Sequence, residues 1–85
     1  MKEPMRGSSA ETIGLRRERR CGRDVIVIDG LPGHVDAREM ASSLKRRCAA
    51  GGTVKGRTIE IQGDHRDAIE AFLHELGFRT KRTGG

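Results

Sequence analysis

Val25-Ile26-Val27-Ile28-Asp29-Gly30-Leu31-Pro32-Gly33-His34-Val35-Asp36-Ala37-Arg38-Glu39-Met40-Ala41 is the stretch that decides the fold. Four consecutive β-branched residues, apolar on both faces, predict a strand covered on both sides and therefore central in its sheet. Gly30, Pro32 and Gly33 break it. Asp36 then predicts a helix N-cap, with Glu39 placed for a capping box. Ala37, Met40, Ala41, Leu44 and Cys48 continue as one apolar helical stripe. Lys45, Arg46 and Arg47 crowd its last turn, where the helix dipole favours cations. Gly51 and Gly52 stop it.

Upstream, residues 12–20 alternate. Ile13 and Leu15 share a phase with Arg17 and Arg19, so this strand starts over a core and runs off it. Cys21-Gly22-Arg23-Asp24 reads as the turn of a hairpin whose tip gathers Arg19, Arg20 and Arg23. Downstream, residues 53–61 read as a second hairpin, with Lys55-Gly56 as the turn and Ile59 and Ile61 facing the core. Asp64 is expected to cap a second helix with the stripe Ala68, Ile69, Phe72, Leu73 and Leu76. Its outer face carries Asp67, Glu70 and Glu75, which should point away from phosphate. Gly77 ends that helix, and residues 78–82 read as a short last strand.

The order ββαββαβ predicts an α+β fold, a two-layer α/β sandwich. Two helices pack on one face of a mixed, mostly antiparallel sheet of about five strands. Residues 1–11 (MKEPMRGSSAE) have no periodic apolar pattern and read as a flexible N-terminal tail, leaving residues 12–85 as the single domain.

Composition narrows the function. The chain has 85 residues, 34% hydrophobic and 2% aromatic. It contains no apolar run near the ~20 residues of a membrane helix and no secretory signal pattern. Two cysteines make no disulfide framework, so a reducing, cytoplasmic setting is expected, with no membrane partner. There are 17 Lys+Arg against 12 Asp+Glu, a formal charge of +5. The excess is clustered: residues 16–23 are net +4, residues 40–59 net +5 and residues 76–85 net +3. Thirteen of the 17 bases are Arg, whose planar fork grips phosphate in pairs. The partner expected is a polyanion, nucleic acid above all.

With two Phe, no Tyr and no Trp, the chain lacks the aromatic platform of single-strand binders. Contacts should go to phosphate and ribose of a folded RNA, read by shape. The expected RNA-binding residues are Arg17, Arg19, Arg20, Gly22, Arg23, Arg46, Arg47, Gly51, Gly52, Lys55 and Arg57. Gly51-Gly52 has two compatible readings: a helix stop and turn, or a bare backbone that RNA approaches closely.

Catalytic and metal chemistry have little to stand on. Asp64-His65-Arg66 is the only compact acid–base cluster, and a small RNA-directed hydrolase using Asp64 and His65 would need it as general base. No phosphate loop or nucleophile elbow accompanies it, and cap and first-turn residues explain it as well. Cys21, His34, Cys48 and His65 lack the paired spacing of a zinc site. No catalytic residue, metal or cofactor is expected.

Several motifs converge on one family. They are Gly22-Arg23 at the first turn, Val27-x-x-Gly30-Leu31-Pro32, Leu44-Lys45, Cys48-x-x-Gly51-Gly52-Thr53-Val54, Gly77-Phe78 and the terminal Gly84-Gly85. The most specific is Ile59-Glu60-Ile61-Gln62-Gly63-Asp64-His65-Arg66. Over about residues 12–85 the chain resembles the Sui-type translation initiation factors, the eukaryotic initiation factor one-like family, and within it the prokaryotic branch. The resemblance implies a non-enzymatic, monomeric factor on the small ribosomal subunit near the P site. It would contact rRNA and influence start-codon and initiator-tRNA selection, with initiator tRNA and other initiation factors as further partners. The basic first hairpin would reach toward the decoding site. The resemblance equally implies an alternative: a bacterial inhibitor or fidelity modulator at the same place. Two positions depart from the family pattern. Asp24 puts an acid beside the hairpin tip, and Ala49 replaces a common glycine, from which a longer first helix is expected.

Overall fold

The computed structural model describes residues 12–83. The expected tail at 1–11 and Gly84-Gly85 lie outside the described residues. The elements are β1 (Thr12–Arg20), β2 (Arg23–Asp29), α1 (Ala37–Cys48), β3 (Gly52–Lys55), β4 (Thr58–Gln62), α2 (Arg66–Glu75) and β5 (Arg79–Thr83). They form one sheet of order β3-β4-β2-β1-β5. Val25–Ile28 thus lies in the central strand. All pairings are antiparallel except β1 with β5. This is the α+β sandwich expected.

Alternation divides the sheet into two faces. Ile13, Leu15, Ile26, Ile28, Ile59 and Ile61 point one way and meet Met40 and Leu44 of α1 and Ile69 and Leu73 of α2, all fully buried in one cluster. Among the described residues no helix covers the other face. There the register aligns Arg16, Glu18 and Arg20 of β1 with Val27, Val25 and Arg23 of β2, and these with Glu60 and Gln62 of β4. Val25 and Val27 are nevertheless buried, because the aliphatic stems of long charged neighbours cover apolar surface while their heads stay wet.

Local chemistry explains the element ends, with three corrections to the sequence expectations. Asp36 caps α1 as expected, accepting from the backbone N–H of Arg38 and Glu39. The helix is not lengthened at Ala49. It ends at Cys48, and Ala49 turns left-handed (φ 52°) while its N–H and that of Ala50 return to Arg46 and Lys45. α2 is not capped by Asp64. Its N-cap is His65, which makes no side-chain cap bond, because the Asp64 carboxylate is taken by the Arg66 guanidinium (2.8 and 3.0 Å) and holds the Arg66 N–H only at 3.5 Å. The second hairpin turns at Gly56-Arg57, one residue later than expected, since Lys55 pairs with Thr58.

Candidate nucleic-acid interface

The first hairpin closes through Cys21 and Gly22, both at positive φ (53° and 76°), with Arg20 and Arg23 paired across the ladder beneath them. Two positive φ values give the turn that matches the twist of the strands. α1 runs toward this same end: its last turn leads through Ala49–Gly51 into β3, whose Gly52 pairs with Ile61, beside Ile26. Sheet pairing therefore brings together residues far apart in the chain. Arg20, Arg23, Val25, Gly51 and Gln62 line one open-mouthed cavity of about 490 Å³.

The arginines gathered here are not equivalent. Arg20 lies between two carboxylates. Its Nη1 donates to Glu60 Oε1 at 2.8 Å, and its Nε and Nη2 donate to Glu18 Oε1 at 3.0 and 2.6 Å. Those bonds, to Glu60 first and Glu18 second, raise the Arg20 pKa further, and they hold the Glu60 and Glu18 carboxyls below the usual carboxylate range. Arg16 also donates to Glu18, at 2.5 and 2.9 Å. Arg17 and Arg19 both lie near Asp24 Oδ1, at 3.8 and 3.6 Å, beyond hydrogen-bond contact. Asp24 thus tempers the hairpin tip, as its acidity implies, without locking either side chain. Arg47 is bound to Glu75 and sits over the Phe72 ring, 5.4 Å from its centroid. Among the described residues no carboxylate lies within ion-pair distance of Arg23, Lys45 or Arg46; Arg46 reaches only Ser42 Oγ, at 3.4 Å. Seven cations at this end (Arg17, Arg19, Arg20, Arg23, Lys45, Arg46, Arg47) face four carboxylates (Glu18, Asp24, Glu60, Glu75), so its field stays positive.

Two of the expected site residues lie elsewhere. Lys55 precedes and Arg57 lies in the β3–β4 turn at the opposite end of the sheet, about 13 Å away along β4 at ~3.3 Å per residue. Lys55 Nζ lies 3.9 Å from Glu60 Oε2. Arg57 donates to the carbonyls of Val35 (2.8 Å) and Pro32 and so ties the loop before α1 to the second hairpin. In the third basic window, Arg82 is held by Asp67 and Glu70 of α2. The acidic face of α2 therefore pairs with Arg82 and Arg47 as well as facing solvent.

Gln62 was missed by sequence reasoning. Its signal was present: it shares the phase of Glu60 and points away from the isoleucines. The two glycines of the α1–β3 loop have distinct reasons. A Cβ on Gly52 would sit 2.5 Å from the Glu60 carbonyl, and one on Gly51 would press on the Gln62 amide at 3.2 Å. Gly63 takes φ 93°, and a Cβ there would lie 2.7 Å from His65 Nε2. The Gln62-Gly63-Asp64-His65-Arg66 motif is thus accounted for by structure: a cavity wall, a turn, a ring over a glycine and an ion pair. Asp64 is held by Arg66, and the His65 ring lies against Gly63. Among the described residues no three His, Cys, Asp or Glu side chains converge as metal ligands, and no helix is long and apolar enough to cross a membrane.

The described residues form a small α+β domain with one cationic end. Comparison with known proteins makes the class specific. A family model described as translation initiation factor SUI1 matches residues 9–79. A protein translation factor SUI1 homolog of Sulfurisphaera tokodaii is 47% identical over 62 residues, covering 72% of this chain and 62% of that protein. One of Thermoplasma volcanium is 47% identical over 82 residues, covering 91% and 82%. One of Methanoregula boonei is 43% identical over 65 residues, covering 75% and 64%. The chain thus spans less than two thirds of the length of the first and third. The chain belongs to the SUI1 family of translation initiation factors, a family of factors and not of enzymes, as the motif resemblance implied.

Proposed function

We propose that this protein acts in translation initiation by docking on the small ribosomal subunit through phosphates of its rRNA. The cationic end made by the first hairpin and the last turn of α1 is the docking surface. Arg23, Lys45 and Arg46 are the principal phosphate contacts, Arg17 and Arg19 add to the field, and the Gly22 and Gly51-Gly52 backbones allow close approach. Arg20 and Arg47 serve mainly to shape that surface, and Lys55 and Arg57 lie outside it. The observation that carries this reading is that, among the described residues, Arg23, Lys45 and Arg46 have no carboxylate within ion-pair distance, at an end where Arg20 and Arg47 are paired. Ionised groups without an internal partner keep their full attraction for a polyanion. Family membership supports the destination: the small subunit near the P site, with initiator tRNA and start codon as what it influences, in the cytoplasm.

The test is co-sedimentation with small ribosomal subunits across a salt series. Binding should fall steeply with salt, since each neutralised phosphate releases counterions. It should weaken in Arg23→Ala plus Arg46→Ala. Salt-insensitive binding, or full binding by that double variant, would refute the phosphate mechanism. Toeprinting on start and near-start codons then reads whether bound protein promotes or represses initiation.

A further inference from the structure

We propose that the cavity between the first hairpin and the α1–β3 loop holds a single base extruded from the docked RNA, with Arg20 as its stacking surface and Gln62 reading its edge. This rests on the RNA-docking reading above and adds to it a class of ligand. The cavity's volume, about 490 Å³, falls within the roughly 300–1,000 Å³ of small-ligand sites. Its lining includes the buried Val25 together with Arg20, Arg23, Asp24, Gly51 and Gln62, and Arg23 has no carboxylate within ion-pair distance among the described residues.

The chain has no Tyr or Trp, and its aromatic Phe72 and Phe78 belong to the helix side of the sheet, so a base here has no aromatic to stack on. Arg20 supplies the substitute. All three guanidinium nitrogens already donate to Glu18 and Glu60. Its donors and charge are thus largely spent, and its plane is fixed by bonds to two strands. What it has left for the cavity is chiefly the flat of the guanidinium, which stacks on bases as aromatics do. Gln62 is exposed, and among the described residues its side-chain amide makes no hydrogen bond, while its backbone N–H donates to the Gly51 carbonyl at 2.9 Å. An amide offers one donor and one acceptor side by side, the pattern that matches adenine. Gly51 keeps the space clear, since a side chain there would meet that amide. Arg23, also on the lining, is the cation for the flanking phosphate.

The experiment measures binding, by fluorescence anisotropy at one low ionic strength, of three RNA hairpins. They are fully paired, carry a single bulged adenosine, or carry an abasic ribose at the bulge. The protein should bind the adenosine bulge about ten-fold tighter than the abasic one, within the range of stacking one base. Gln62→Leu should bring the two to near parity while leaving abasic affinity unchanged, and Gly51→Val should likewise remove the preference for the adenosine bulge. Arg23→Ala should weaken all three RNAs alike. Thermal melting confirms that each variant folds, and Gln62→Leu, exposed at the surface, keeps the test independent of Gly51→Val. Equal affinity of the unaltered protein for adenosine and abasic bulges would overturn the base pocket while leaving phosphate docking intact. Failure to bind any of the three would overturn both.

Discussion

Arg20 and Glu60, forty residues apart in sequence, meet at 2.8 Å across the uncovered face of the sheet. The contact converts an arginine that the sequence marks for phosphate into a strut between β1 and β4, with β2 between them. Arg20→Ala should therefore lower Tm by a few degrees yet leave the salt slope of RNA binding nearly unchanged. Parallel thermal melts and salt titrations check both halves.

Arg23 gives the opposite signature. Without an ion-pair partner among the described residues, it contributes little to folding. Arg23→Ala should leave Tm unchanged and reduce the slope of log affinity against log salt by about 1, the loss of one phosphate contact. Arg57→Ala should resemble Arg20→Ala, because its guanidinium is spent on the Val35 and Pro32 carbonyls.

Acid should loosen the fold through its carboxylates. Hydrogen bonds from Arg20 lower the Glu60 and Glu18 pKa values, and those from Arg66 and Arg82 lower Asp64 and Glu70. Folded carboxyls with depressed pKa bind fewer protons than unfolded ones, so their stabilisation is complete above the ordinary range, about 4, and is lost as pH falls through the folded values. Urea midpoints should be flat from about pH 5 to 7 and drop below about pH 4. Glu60→Gln should be less stable at neutral pH and show a shallower acid decline.

Ala49 is held left-handed at φ 52°, a region that costs an L residue roughly 1–2 kcal/mol. Ala49→Gly removes that strain and gives back part of it as unfolded-chain entropy. A net gain of about 0.5–1 kcal/mol is expected. Chemical denaturation measures it, and a loss of stability would contradict the left-handed C-cap.

Ile26 is fully buried in the central strand beneath both helices. Ile26→Ala should cost about 2–5 kcal/mol, a large share of what a domain this small has. Its urea midpoint should fall sharply, with RNA affinity retained in whatever fraction stays folded.

The elements were legible because they are written in local periodicity. Alternation marked β1 with Ile13 and Leu15 buried and Arg17 and Arg19 beyond the core. The unbroken run Val25–Ile28 marked the middle of the sheet, and Asp36 with its apolar stripe marked α1. Errors fell where a local signal had a rival. Asp64 is a good cap residue, but the Arg66 side chain claims it. Lys55-Gly56 is a plausible turn, but the register that places Val54 opposite Ile59 moves the turn to Gly56-Arg57.

By itself, then, the chain determined its strands, its helices, which side of each is greasy, and the surplus of arginine, since these depend on neighbours a few positions away. Tertiary structure alone decided which arginines remain available. Strand order sets Arg20 against Glu60, sends Lys55 and Arg57 to the far end, and leaves Arg23 without a carboxylate partner among the described residues, on a cavity that Gln62 also lines. Ion pairing depends on distance in space, and that distance is assigned by long-range register, which no window of sequence contains.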